Sequence, residues 1–242
     1  KCNIYGKAEY FNPGESVKDR AALYIVNDAI KNKKIQKGGT IVEGTAGNTG
    51  IGLAVVAKQY GLNLKIVIPK TQSNEKKETL RSLGAELIEV DAVPYSNPKN
   101  YIKQSKEIAD EILKKNKNGV LWANQFDNIV NTEAHIKTTA EEIWSQTAGK
   151  INGFVCAVGT GGTLAGVSIG LKSKNKNIKI ALADPMGSSL YSYVKFNKLE
   201  NTGNSITEGI GTGRITKNFE KALVNEAFQI NDTEALNIVF DL

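Results

Sequence analysis

Short apolar runs alternate along the chain with longer stretches whose apolar positions fall three and four residues apart. The short runs, rich in Val and Ile and bounded by Gly, Pro or Asn, read as buried strands. The longer stretches read as amphipathic helices packed on them. Strands are predicted over 5–11, 40–43, 64–69, 85–90, 120–123, 154–158 and 178–183. Helices are predicted over 16–31, 51–60 (stopped by Gly61), 74–83 (followed by Gly84), 100–115 and 132–147, with another after the glycine-rich turn at 159–163. A repeated strand–helix order predicts an α/β fold of parallel, doubly wound sheets, two of them here. Such sheets bind ligands where their strands end and the next helices begin, so the chemistry is expected in the loops after strands. No repeat of solenoid period appears, and the stretch around Pro94–Pro98 reads as a surface loop.

Composition narrows the classes. With 242 residues, the chain can bury one large or two small cores, and 40% hydrophobic with 23% charged residues is ordinary for a globular protein. No apolar run approaches the ~20 residues that span a bilayer, and the first residues carry no secretory h-region, so a cytoplasmic protein without membrane contact is expected. Lys and Arg number 31 against 25 acids, a net charge of +6. The lysines are interleaved with acids on polar helix faces, as at Lys103, Lys106, Glu107, Asp110, Glu111 and Lys114, and no basic stripe points to nucleic acid. Two cysteines, Cys2 and Cys156, make no disulfide scaffold, and with one histidine they make no usual zinc site. Cys156 lies in an apolar run and reads as core. His135, the one histidine available to a Ser-His-Asp triad, reads as structural or surface.

Three loops carry chemistry. In Asn12-Pro-Gly-Glu-Ser-Val-Lys-Asp-Arg20, Ser16 and Asp19 have the spacing of a capping box, which puts Lys18 in a first helical turn. A cation is disfavoured there, and the same dipole lowers an amine pKa, as a nucleophilic lysine requires. The alternative is a solvated lysine paired with Asp19. In Glu43-Gly-Thr-Ala-Gly-Asn-Thr-Gly50, small residues between strand and helix free backbone N–H groups, and Thr45, Asn48 and Thr49 add side-chain donors. This is an anion site of carboxylate or phosphate size, or else a tight turn that needs glycine. Gly159-Thr-Gly-Gly-Thr163 offers a nest of N–H groups and two hydroxyls suited to a phosphate monoester. The rival dinucleotide fingerprint lacks its third glycine, because Leu164 stands there, although Asp184 ends the next strand where a ribose-binding acid sits.

Taken in order, these segments resemble the fold-type II pyridoxal-5′-phosphate enzymes of the cysteine synthase (O-acetylserine sulfhydrylase) and cystathionine β-synthase family, with cysteine synthase the nearer branch. The same family pattern includes Asn124-Gln-Phe-Asp-Asn128 and Glu208-Gly-Ile-Gly-Thr-Gly213. The resemblance covers essentially the whole chain. It implies two three-layer αβα domains with the cofactor site between them. One spans 14–130, with 51–124 as its mobile part, and the other spans 1–13 and 131–242. It implies that Lys18 holds the cofactor as a Schiff base and shuttles the α-proton. Gly159, Thr160, Gly161, Gly162 and Thr163 then hold the phosphate, Asn48 bonds the pyridine 3′-oxygen, and Gly211 faces the ring. Thr45, Ala46, Gly47, Asn48 and Thr49, with Gln125, bind the substrate. The implied reaction is β-replacement, L-cysteine from O-acetyl-L-serine and sulfide, in a homodimer.

The sequence departs from that pattern in places. Glu15 stands where many relatives have glycine, and Ala46 where many have serine. The family's C-terminal serine that bonds the pyridine nitrogen does not occur before Leu242, so a truncated chain is expected. Cystathionine β-synthase, serine/threonine dehydratase and a non-catalytic relative stand as alternatives.

Overall fold

The structure is a computed structural model that describes residues 2–45 and 47–241. Contacts divide the chain into two units, Lys1–Val130 and Asn131–Leu242. Residues 1–13, assigned from sequence to the second domain, fall in the first unit by this division.

The first unit is a parallel four-stranded sheet built from β1 (Thr40–Gly44), β2 (Asn63–Pro69), β3 (Glu86–Val90) and β4 (Val120–Trp122) in the order β3-β2-β1-β4. The crossovers are α2 (Asn48–Tyr60), α3 (Asn74–Ser82) and α4 (Tyr101–Leu113), and α1 (Lys18–Lys31) precedes them. Alternate residues of each strand point to opposite faces. Ile41, Leu64, Ile66 and Ile68 enter one core with Ile25, Val26, Leu53 and Leu80. Val42, Val67 and Val90 enter the other with Ala109 and Ile112. Apolar side chains on both faces explain why these strands read as continuous apolar runs: helices cover the sheet above and below. Left-handed glycines end α2 and follow α3, at Gly61 (φ 61°) and Gly84 (φ 92°), as their positions in the sequence suggest.

The second unit has a parallel sheet ordered β5-β6-β7, made from β5 (Gly153–Cys156), β6 (Lys179–Pro185) and β7 (Glu226–Ile230). Its other elements are α5 (Val130–Lys137, which begins at the last residue of the first unit), α6 (Thr139–Gln146), α7 (Gly162–Lys174), α8 (Leu190–Phe196) and α9 (Asp232–Asp241). Val158, Leu164, Val167, Leu171, Ile180, Leu182 and Phe219 form its core.

Three sequence expectations fail. Residues 5–11 form no strand; only a 3₁₀ turn spans Glu9–Phe11, and Tyr5 and Phe11 are exposed, so no partner sheet holds the segment extended. The helix expected over 132–147 is two helices, broken at Thr138 (φ −122°, ψ −74°), whose hydroxyl bonds back to Ala134 O at 2.7 Å and bends the chain. The first helix begins at Lys18 rather than Ser16.

Candidate active site

The order β3-β2-β1-β4 sends the chain from β1 to one side through α2 and leaves β4 on the other. The end of β1 is therefore a topological switch point. Pairing of Val42 with Trp122, and the bond from Ala123 N to Val42 O at 3.0 Å, bring the turn after β1 beside the turn after β4. There Thr49 Oγ1 donates to Gln125 Oε1 at 2.5 Å, joining residues 76 positions apart. Thr45, Thr49 and Gln125 are buried, and Asn48 is exposed at the first turn of α2. Gly47 N donates to Thr45 Oγ1 at 3.3 Å, Gly50 N donates to Gly47 O at 2.8 Å, and no side chain of the N-cap residue caps α2, so the amides of Asn48 and Thr49 face the space where another acceptor would bind. A Cβ at Gly47 would meet no atom within 4 Å, which leaves room beside those amides. Ala46 lies outside the described residues.

Lys18 opens α1 and is half-buried. The expected capping box takes another form: Ser16 Oγ accepts from Lys18 N at 3.3 Å, while Asp19 turns away to accept from Gly14 N at 2.5 Å. Asp19 is buried, its Oδ1 has no partner, and burial raises its pKa, with the Gly14 bond opposing. Its backbone lies against α2, where a Cβ at Gly52 would stand 3.2 Å from Asp19 N. The close approach of the two helices thus sets the start of α1, where Lys18 lies, against Gly52 of α2. Asn12 reinforces the loop by donating to Ser16 O at 3.1 Å.

In the second unit, the Gly159–Thr163 turn runs from β5 into α7, which has Gly161 (φ 90°) as its N-cap and no side-chain cap. A Cβ at Gly161 would stand 2.6 Å from Phe219 N, so only glycine both fits and adopts this angle. Asn131 Nδ2 donates to Thr160 Oγ1 at 3.0 Å, and Thr216 Oγ1 donates to Thr160 O at 2.7 Å. Thr160 Oγ1 accepts from Asn131 Nδ2 and, at 3.4 Å, from Gly162 N, while the Thr160 carbonyl takes the Thr216 proton, so the Thr160 hydroxyl proton can turn to an anion. Gly211 (φ 85°) donates to Val158 O at 2.7 Å, which folds its loop onto the end of β5 beside this turn. Uncapped amides, a free hydroxyl proton and the helix dipole fit a phosphate dianion.

Sequence reasoning missed two buried residues here. His135 is 1% exposed, and its Nε2 lies 3.2 Å from Thr163 Oγ1 while Nδ1 lies 2.8 Å from Thr139 Oγ1. Its helical spacing to Thr139 was visible in the chain; its reach to Thr163 was not. Glu43, fully buried at the end of β1, receives hydrogen bonds from Gln125 and from the Asn124 amide, and burial pushes its pKa up to about 8. Among the described residues no cluster of His, Cys, Asp or Glu could hold a metal ion, and no helix is long and apolar enough to cross a membrane.

Comparison with known proteins places this geometry. The family described as pyridoxal-phosphate dependent enzyme matches residues 1–240. Cysteine synthase 1 of Neurospora crassa is 50% identical over 244 residues, covering 99% of this chain and 64% of that protein. Cysteine synthase 1 of Emericella nidulans is 48% identical over 243 residues, covering 98% and 64%. The crystal structure of the O-acetylserine dependent cystathionine β-synthase from Helicobacter pylori superposes with a TM-score of 0.84 at 35% identity, covering 97% of this chain and 72% of that one. The chain thus spans 64% of the length of the two cysteine synthases. A family match along 1–240, over the turns whose geometry suits anions, gives the conclusion that this chain belongs to the pyridoxal-phosphate dependent enzyme family.

Proposed function

We propose that the protein makes L-cysteine from O-acetyl-L-serine and sulfide by β-replacement. The observation that carries the reading is that, within one unit, the start of the Lys18 helix packs at Gly52 of α2, the helix whose first turn carries the buried Thr49–Gln125 bond at the switch point. An amine and an anion-binding turn carried by two packed helices suit an α-amino acid, which brings an amino group and a carboxylate on one carbon. The 50% identity to a cysteine synthase supports the choice of reaction.

Pyridoxal phosphate, when bound, supplies the electron sink for the substrate's α-carbon. The chain supplies position. Lys18 Nζ holds the cofactor and moves the α-proton. The amides and hydroxyls of Gly159, Thr160, Gly161, Gly162 and Thr163 take the phosphate, Asn48 takes the ring's 3′-oxygen, and Gly211 lies on the ring's side. Thr45, Ala46, Gly47, Asn48, Thr49 and Gln125 take the carboxylate. The protein acts in the cytoplasm as a homodimer.

The test uses the full-length protein. It is expected to be yellow, to change its visible band on addition of O-acetylserine, and to release L-cysteine when sulfide follows. Lys18→Ala is expected to lose the band; a band retained in that variant assigns the cofactor to another lysine and overturns the reading. The Helicobacter pylori relative is named an O-acetylserine dependent cystathionine β-synthase, which favours a second acceptor, homocysteine. Product analysis with sulfide and homocysteine in competition decides between them.

A further inference from the structure

Among the described residues, 197–218 is the longest stretch without helix or strand, and it carries Gly211. Chain of this kind opens locally unless neighbouring elements hold it. In the second unit two neighbours do so. On one side Gly211 N donates to Val158 O at 2.7 Å, and a Cβ at Gly159 would stand 2.3 Å from Gly209 O, so the loop lies on the start of the Gly159–Thr163 turn. On the other side is the turn from β6 to α8. Ser188 Oγ accepts from Thr212 N at 3.0 Å and lies 3.1 Å from Thr212 O, and Ser189 N donates to Thr212 O at 2.9 Å. Both main-chain groups of Thr212 thus rest on two adjacent serines. A Cβ at Gly211 would stand 3.0 Å from Pro185 Cγ and 3.5 Å from Ser188 Cβ, so loop and turn also pack at Gly211.

The amide of Thr212 and the carbonyl of Gly211 belong to one planar peptide and point in opposite directions. An acceptor that fixes the Thr212 N–H therefore turns the Gly211 carbonyl away from the β6–α8 turn. Ser188 is buried, so an apolar side chain in its place would leave that amide without its acceptor. The Ser188 hydroxyl has one proton and two acceptors within reach, Thr212 O and the Asp184 carboxyl. Asp184 is buried at the end of β6. Burial raises its pKa, and bonds from the Tyr191 amide, the Ser188 hydroxyl and the Leu190 amide oppose the rise. Thr212 O already takes the Ser189 amide, and a carboxylate is the stronger acceptor. With its proton on Asp184, Ser188 Oγ keeps its lone pairs for Thr212 N.

We propose that Ser188 is a positioning residue for the cofactor: by holding the Thr212 amide it fixes the Gly211 peptide against the Gly159–Thr163 turn, and the loop so held steadies the pyridine ring. The proposal rests on reading that turn as the phosphate site and Gly211 as a neighbour of the ring. Asp184, which a dinucleotide-binding fold would give to a ribose, here takes the Ser188 proton.

The experiment compares Ser188→Ala, Ser188→Cys and Ser189→Ala with the parent in the full-length protein. Hydrogen exchange, read residue by residue before cofactor is added, follows the Thr212 amide. In Ser188→Ala that amide is expected to exchange about tenfold faster, as for loss of one buried hydrogen bond. The dissociation constant for pyridoxal phosphate should rise about tenfold with it. The visible circular dichroism of the bound cofactor, which reads how firmly the ring is held, should weaken. Ser188→Cys keeps nearly the same shape but offers only a weakly accepting sulfur, so it should move all three readouts in the same direction. Ser189→Ala removes a hydroxyl one residue along and keeps the Ser189 amide, so it should move none of them. A purely structural Ser188 would lower the melting temperature and leave the dissociation constant and the dichroism at the parent's values; that result overturns the proposal. An unchanged Thr212 rate in Ser188→Ala overturns it too. Should Ser188→Ala not fold, Ser188→Cys carries the test alone: a faster Thr212 amide with weaker cofactor binding supports the proposal, and parent values overturn it. A protein that takes up no pyridoxal phosphate in any form, but whose Thr212 amide quickens in Ser188→Ala, overturns the cofactor reading of the site and supports the hold of Ser188 on the loop.

Discussion

At the residue scale, the site is a set of side chains held in environments that sequence only half announces. Glu15 was visible as a departure from the glycine many relatives carry, and the structure supplies the reason for the glycine: its φ is 60°, in the left-handed region. Glu15→Gly should leave stability unchanged or raise it by up to about 1 kcal/mol, whereas Glu15→Val, β-branched, should lower it by about 1–2 kcal/mol. Urea denaturation of the three proteins checks the order. Glu43 makes a second, opposite kind of prediction. Its pKa rises from 4.5 to about 8 on folding, so between those values the folded state keeps a proton that the unfolded state has lost. The unfolding free energy should therefore fall as pH rises through that window, and Glu43→Gln should remove this part of the slope. Denaturation midpoints at about pH 5 and about pH 8 give the slope of each protein; equal slopes would refute the assignment. The motifs that hold Lys18, Asn48 and Gln125 stand out in the chain because they are short and local. The buried partner of Gln125 does not, because Glu43 and Gln125 meet only through β1–β4 pairing, and nothing in a linear reading announces which strands pair.

At the element scale, strands and helices covered on both sides were legible almost to the residue, since their apolar periodicity is strong and glycines punctuate them. The illegible elements are those whose conformation is set by one contact. The break at Thr138 separates α5 from α6 and lets both lie along α7, where glycines make the approach possible. A Cβ at Gly166 would stand 2.5 Å from His135 Cβ and 2.5 Å from Thr132 O, and neither has room to retreat inside the core. Gly166→Ala is expected to cost about 1–3 kcal/mol by overpacking. Because it pushes on the residue that bonds Thr163, it should also weaken cofactor binding. Gly213→Ala, with no atom within 4 Å of the added carbon, is the control and should stay within about 0.5 kcal/mol of the parent. Thermal melts and cofactor titration of both variants test the pair. A Gly166→Ala protein that melts early but binds cofactor normally would separate helix packing from the phosphate turn.

At the scale of the whole molecule, the chain folds as two units with separate cores, and the residues proposed for ligand binding divide between them. Lys18, the Thr45–Thr49 turn and Gln125 belong to the first, and the Gly159–Thr163 turn and the Gly211 loop to the second. The division at Val130 matters for ligand response, because a group that binds one turn protects amides that another group leaves exchanging. Inorganic phosphate should slow hydrogen exchange at the uncapped first turn of α7 and leave the first turn of α2 as it was. An amino acid added to the cofactor-loaded protein should then slow exchange at 47–50 and at Gln125. Each footprint should grow with ligand concentration, reaching about 2.7 kcal/mol of added protection at a hundredfold excess over Kd for amides that open only when the ligand leaves. Exchange measured residue by residue on the full-length protein reads both footprints at once. Phosphate protection that fell on the Thr45–Thr49 turn instead would exchange the roles of the two anion sites, and with them the assignment of carboxylate to Gln125.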